Sequence, residues 1–225
     1  MDSTPLEHGD VFRAALAELA RAASGVQQRR FERGELLYRQ DESGSALYYI
    51  LQGSVRIYLL SAGGQERSLL ILGPGETVGD ISFQLQERHM TYAEAFGGHV
   101  ELFEISAQGY EMLLRACAPA GREFLKALAR KARWLTQQIA EQSFLDVRAR
   151  VQVALIRLAG QHGRPGPGGI VIDVPITHES LAALVGANRT TVSSCLSILH
   201  HEGFYSVVNQ RIVLSPWGAG LVIPP

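Results

Sequence analysis

The chain has 225 residues, 46% of them hydrophobic, and its 21 basic and 22 acidic side chains leave a net charge of -1; this bounds it to a globular protein of one large or two ordinary domains with a real core. No apolar run reaches the roughly 18 residues of a membrane span, and acidic residues stand where a secretory signal would be basic and then greasy, so a cytoplasmic protein is expected. The two cysteines, Cys117 and Cys195, lie in separate regions, which excludes a disulfide framework and a Cys-rich metal site; both read as small buried hydrophobes.

The charge is unevenly spread. Residues 144 to 225 carry six Arg, four acids and four of the seven histidines, a balance of +2, against -3 for the rest. The C-terminal third is thus the segment suited, weakly, to a polyanion.

In chain order, "VFRAALAELARAA" (11 to 23) places Phe12, Leu16, Leu19 and Ala20 on one helical stripe ended by Ser24-Gly25, a short docking helix. From Val26 to Ile105 the pattern changes to short β-type runs, "ALYYILQGSVRIYLL", "RSLLIL" and "HVELFEIS", divided by turn signals at 42–44, 62–64 and 73–75. Many short strands with glycine turns predict a barrel or roll. Helical periodicity returns after Ile105. Leu125, Leu128, Ala132, Leu135, Ile139 and Gln142 recur at alternating steps of three and four, a narrow seam suited to a second identical helix, with packing on its own domain as the other reading. "FLDVRARVQVALIRLAG" begins a further helix, and "QHGRPGPGG" (161 to 169) reads as a loop inside the second domain.

"ITHESLAALVGANRTTVSSCLSILHHEGF" has the layout of two short helices bent at Gly186. Thr177 is placed to cap the first, with Glu179 in its first turn and Leu181, Leu184 and Val185 as its apolar face; Asn188 is placed to cap the second. In that second helix Val192, Leu196 and Leu199 point inward with Cys195 beside them. Thr190, Ser194, Ser197 and His201 fall opposite, flanked by Ser193, with Arg189 at the leading edge. Small hydroxyls behind a long cation suit a helix that must approach base edges in the major groove. Arg189 is the candidate for a guanine, while Asn188, Thr191 and Ser193 are candidates for phosphate contacts that set register. "YSVVNQRIVLSP" then reads as a hairpin through 208–211, the wing of a winged helix.

In this order, "LYYILQGSVRIY" and "GETVGDISF" in the roll, "FLDV" after the long helix and "RTTVSSCLSILHHEGF" in the reading helix resemble the family of the cyclic AMP receptor protein and the fumarate and nitrate reduction regulator, over nearly the whole chain. The resemblance implies an α+β fold: an effector-binding β-roll, a jelly roll of the cyclic-nucleotide-binding type, over 1–118; a dimerisation helix over 119–143; and a winged helix-turn-helix over 144–225. It implies a homodimeric, effector-gated bacterial transcription regulator on pseudo-palindromic double-stranded DNA, with RNA polymerase as a possible further partner, and with Thr177, Asn188, Arg189, Thr190, Thr191, Ser193, Ser194 and Ser197 facing the duplex.

Nucleotide-binding members hold the ribose with a Gly-Glu pair, which maps to Gly79-Asp80, and clamp the cyclic phosphate with an Arg-Ser pair that maps to Met90-Thr91. A Thr-Ser pair on the long helix maps to Leu135-Thr136. The phosphate-clamping cation is missing unless Arg88, two residues earlier, swings in. A pocket formed by Gly79, Asp80, Ser82, Met90, Thr91, Leu135 and Thr136 is therefore expected to take a less anionic or more apolar effector than cyclic AMP. No iron-sulfur cluster is expected, since the N-terminal cysteines of those members are absent; a haem-based sensor, with His89 as a candidate ligand, stays open as an alternative. Members that read TGTGA carry Arg, Glu and Arg where this chain has Arg189, Thr190 and Ser194, so a shared guanine contact but a different consensus is expected. A ligand-binding dimer acting through protein contacts is the competing class. No nucleophile-base-acid set, HExxH or GxxxxGK[ST] occurs, so no catalytic or metal site is expected.

Overall fold

A computed structural model describes residues 8–22, 25–117, 119–174 and 176–216. The chain divides into two compact units, one of residues 1–60 and 69–135, the other of 61–68 and 136–225.

The first unit opens with helix α1 (His8–Arg21) and is built on six strands: β1 (Val26–Phe31), β2 (Leu36–Tyr38), β3 (Ala46–Leu60), β4 (Glu66–Leu72, whose first three residues are counted with the second unit), β5 (Thr77–Val78) and β6 (Tyr92–Ser106). They form one sheet in the order β1-β6-β3-β4, with β2 also on β6 and β5 also on β3. The two 15-residue strands β3 and β6 run antiparallel, Ala46 opposite Ser106 and Tyr58 opposite Tyr92, and their register shifts on either side of Gln52. Gly53 sits at this irregularity with φ +85°, and a Cβ there would stand 2.3 Å from the His99 carbonyl oxygen. The bulge bends the pair, so that β6 pairs with β1 through 100–105 and with β2 through 93–94. That bend makes a roll from a sheet.

Two apolar clusters fill this unit. One joins Phe12 and Leu16 of α1 to Leu47, Tyr49, Phe103, Ile105 and Phe124, with the Phe12 ring edge-on to Tyr49 and Phe124 at 5.0 and 5.2 Å between centroids. The other lies inside the roll around Tyr38, Ile50, Val55, Leu72 and Leu102, with Trp134 and Leu135 against it. A short helix α2 (Asp80–Leu85) interrupts the strands, and α3 (Ala107–Ala116) follows, its N-cap Ser106 accepting from the Gly109 amide. Helix α4 (Ala120–Phe144) buries Phe124, Ala127, Lys131 and Gln138, while Leu125 and Ile139 of the seam are 68% and 67% exposed.

In the second unit come α5 (Val147–His162), β7 (Gly163–Gly166), β8 (Gly169–Ile172), α6 (His178–Val185), α7 (Arg189–His201), β9 (Tyr205–Val208) and β10 (Arg211–Leu214). The expected loop at 161–169 is instead largely a hairpin: Gly163 pairs with Ile172 and Gly166 with Gly169. Its sheet order is β7-β8-β10-β9, so β7 is an edge, and an edge strand tolerates Pro165 because no ladder bond is asked of its nitrogen. Among the described residues no helix is long and apolar enough to cross a membrane.

Candidate DNA-reading surface and effector pocket

Thr177 caps α6 through a closed box: its Oγ1 accepts from the Ser180 amide at 2.9 Å, and Ser180 Oγ accepts from the Thr177 amide at 2.9 Å. An eight-residue helix cannot hold itself in water, so the cap and the buried Leu181, Ala182 and Val185 keep it formed. Gly186 ends it at φ 64°, ψ 54°, a left-handed conformation that an L side chain rarely adopts. The next helix starts within three residues.

Helix α7 presents two faces. Val192, Cys195, Leu196 and Leu199 are buried, and α5, α6 and α7 pack on one another. Asn188, Arg189, Thr190, Thr191, Ser194, Ser197 and His201 are exposed, so these candidate DNA contacts share the outer surface. Two expectations need correction. Asn188 occupies the N-cap position without a side-chain cap bond. The Ser193 hydroxyl is not free to donate to a phosphate, because it donates to the Arg189 carbonyl at 2.9 Å and sits 2.8 Å from His178 Nδ1; Ser194 likewise donates to the Thr190 carbonyl at 3.1 Å. Crowding of a hydroxyl against the carbonyl one turn back is a standing alternative for Ser in a helix. The wing turns at Asn209 and Gln210, both with positive φ (49° and 62°), as a two-residue hairpin requires.

The candidate effector residues are only partly assembled. Gly79 precedes α2 at φ 78°, and a Cβ there would meet the Ala46 carbonyl at 3.1 Å. Asp80 is buried, accepting from Thr77 Oγ1 at 2.7 Å and from the Ile81 amide at 3.1 Å, and it is ion-paired with Lys131 of α4. Lys131 also donates to the Thr77 carbonyl at 2.5 Å and to its Oγ1 at 3.2 Å. Burial pushes the Lys131 ammonium below its ordinary pKa, and the Asp80 carboxylate opposes that shift. Ser82 is buried, Thr91 is half-buried with its Oγ1 3.4 Å from the Tyr38 hydroxyl, and Leu135 packs on the roll core. Met90, however, is 71% exposed and Thr136 is also exposed, so neither joins the buried group around Asp80. Arg88 does not swing in: it is exposed, with Nη1 donating to the Asp41 carbonyl at 2.5 Å.

Lys131 is the residue that sequence reasoning missed. Its signal is its phase, since it falls on the stripe of Phe124 and Ala127 rather than among the exposed charges of α4. His89 is buried, its ring stacked on Tyr38 at 3.6 Å between centroids and 8° between planes; burial lowers its pKa, against the raising influence of Glu42. Burial likewise pushes the Tyr38 hydroxyl up to about 12. Among the described residues no three His, Cys, Asp or Glu side chains are grouped to hold a metal ion.

Residues 28–117 match the cyclic nucleotide-binding domain and residues 149–217 the Crp-like helix-turn-helix domain. Over 203 residues the chain is 34% identical to the cyclic AMP receptor protein of Thermus thermophilus, covering 90% of this chain and 88% of that one. The chain belongs to the cyclic AMP receptor protein family. A second family member, the CRP-like cAMP-activated global transcriptional regulator of Mycobacterium tuberculosis, is 27% identical over 90% of this chain and 88% of its own. Among solved structures of the family, the c-di-GMP responsive global regulator CLP of Xanthomonas campestris superposes with a TM-score of 0.74 at 25% identity, over 90% of this chain and 99% of that one. The relatives are transcription regulators rather than enzymes, and this member has their two parts, a roll of the nucleotide-binding type and a DNA-binding helix-turn-helix.

Proposed function

We propose that the chain is a homodimeric, sequence-specific regulator that grips a pseudo-palindromic duplex through Arg189 and the exposed face of α7, under the control of a small effector other than cyclic AMP in the roll. The exposed polar face of α7, led by Arg189 and backed by a fully buried apolar stripe, carries this reading. Arg189 reads a guanine, and Asn188, Thr190, Thr191 and Ser197 set register on phosphates and neighbouring base edges; Thr177, Ser193 and Ser194, whose hydroxyl protons are engaged, act as acceptors. The exposed Leu125 and Ile139, with Ala132 between them, support a second copy along α4, with Leu128 and Leu135 at the margin. Two heads then face half-sites one helical turn apart, roughly 34 Å.

The effector reading rests on charge. Three groups around Lys131 already use its ammonium, Arg88 is held elsewhere, and Met90, which the resemblance maps to the phosphate-clamping cation, is uncharged and turned to solvent. A ligand controls DNA binding only through its different affinity for the two states of the dimer. The hairpin at 163–169 is the candidate contact for RNA polymerase.

The test is selection of duplexes from a random pool by the full chain, followed by titration of the selected duplex at several salt concentrations and with cyclic AMP. The reading requires an affinity that falls steeply with salt through counterion release and no low-micromolar cyclic AMP binding. Salt-independent association would favour protein contacts, and tight cyclic AMP binding would overturn the effector reading.

A further inference from the structure

The first turn of α6 contacts the first two turns of α7 through two neighbouring side chains, His178 and Glu179. His178 Nδ1 lies 2.8 Å from Ser193 Oγ, and that hydroxyl donates its one proton to the Arg189 carbonyl, so the imidazole must be the donor in the His178–Ser193 bond. Next to it, Glu179 Oε2 stands 3.9 Å from Arg189 Nε, with both side chains open to solvent (77% and 70%). Arg189 is thus contacted at both ends: its carbonyl by Ser193, which His178 bonds, and its guanidinium by the long, exposed ion pair to Glu179. The capping box of Thr177 and Ser180 closes the start of the helix that carries His178 and Glu179.

We propose that Glu179 is a positioning residue that makes Arg189 a reader of guanine rather than a general phosphate contact; this rests on the reading that Arg189 faces the bases. A guanidinium offers its donors in one plane. With the carboxylate on the Nε side at 3.9 Å, the guanidinium is biased to turn its two Nη groups outward, the fork that the O6 and N7 acceptors of guanine can take. The same carboxylate penalises the wrong use of the cation. If Arg189 turns away to a phosphate, Glu179 is left unneutralised beside a polyanion, and binding at non-guanine sites is weakened. Discrimination is gained by disfavouring the alternatives as much as by favouring the target.

The experiment compares the full chain with its Glu179→Ala, Arg189→Ala and double variants, on the duplex selected by the unsubstituted chain and on copies with each guanine of the half-site replaced. Both residues are exposed, and thermal melting verifies that every variant is folded. The expected result is that Glu179→Ala reduces guanine preference at one position by about two- to fivefold, the scale of an exposed ion pair, tightens binding to the replaced duplex, and has no effect on preference once Arg189 is absent. If Glu179→Ala tightens binding to all duplexes equally, with the preference intact, Glu179 is only a repulsive charge and the proposal is overturned, while the role of Arg189 survives. If guanine preference persists in Arg189→Ala, the underlying reading fails and the proposal with it.

Discussion

Lys131 and Asp80 form a buried ion pair that ties the long helix α4 to the first residue of α2, with Thr77 bonded to both partners. Each side chain is less than a tenth exposed, so neither charge is solvated well enough to stand alone. Replacing Lys131 by Met strands the Asp80 carboxylate, and removal of one member of such a pair costs about 3–5 kcal/mol. Urea unfolding should show a loss of that order for Lys131→Met and a clearly smaller one for Lys131→Met with Asp80→Asn, because the double change strands no charge at this site.

Two histidines make the fold acid-sensitive. Burial lowers the folded-state pKa of both His89 and His162 from the ordinary 6.5. Below pH 6.5 the unfolded chain binds protons that the folded chain refuses, so stability is complete above that value and is lost as pH falls toward the depressed folded values. Melting temperature measured from pH 7.5 to 5 should decline, and His89→Phe, which keeps a ring against Tyr38, should flatten that decline.

The exposed apolar positions of α4 test the dimer. Full burial of an isoleucine contributes about 1.5–3 kcal/mol, and a symmetric pair uses it twice. Ile139→Glu should therefore weaken self-association by at least about tenfold in sedimentation equilibrium, with helicity unchanged. An unaltered dissociation constant would assign α4 to another role.

The cap of α6 closes the helix that packs against α7. Thr177→Ala removes the acceptor for the Ser180 amide, at a cost of about 1 kcal/mol. Hydrogen exchange should speed up in α6, and DNA affinity should fall along with it.

Much of the architecture was legible because it depends on periodicity. The run 46–60 is strand β3 from end to end, the stripe of Val192, Leu196 and Leu199 is buried as its spacing demands, and Phe12 and Leu16 dock α1 into the core. What escaped depends on tertiary partners. The glycines and prolines of 163–169 signal a breaker locally, yet β8 supplies a partner strand and an edge position where Pro165 is tolerated. The short α2 is too brief to show a period. Lys131 looks like one more charge on a helix until Asp80 and Thr77 are brought to it, and the engaged hydroxyls of Ser193 and Ser194 depend on the helix having formed. In the pocket, alignment by spacing put Met90 beside Asp80; the chain turns it to solvent instead.

Everything proposed for α7 depends on the base contact of Arg189. Its most direct test is fluorescence anisotropy of the full chain and of Arg189→Ala on the selected duplex and on an unrelated one at the same salt. Loss of a bidentate guanine contact, about 1–3 kcal/mol, predicts affinity for the selected duplex falling by roughly five- to a hundredfold while the unrelated duplex loses much less. Equal affinity of the two proteins for the selected duplex would contradict the account.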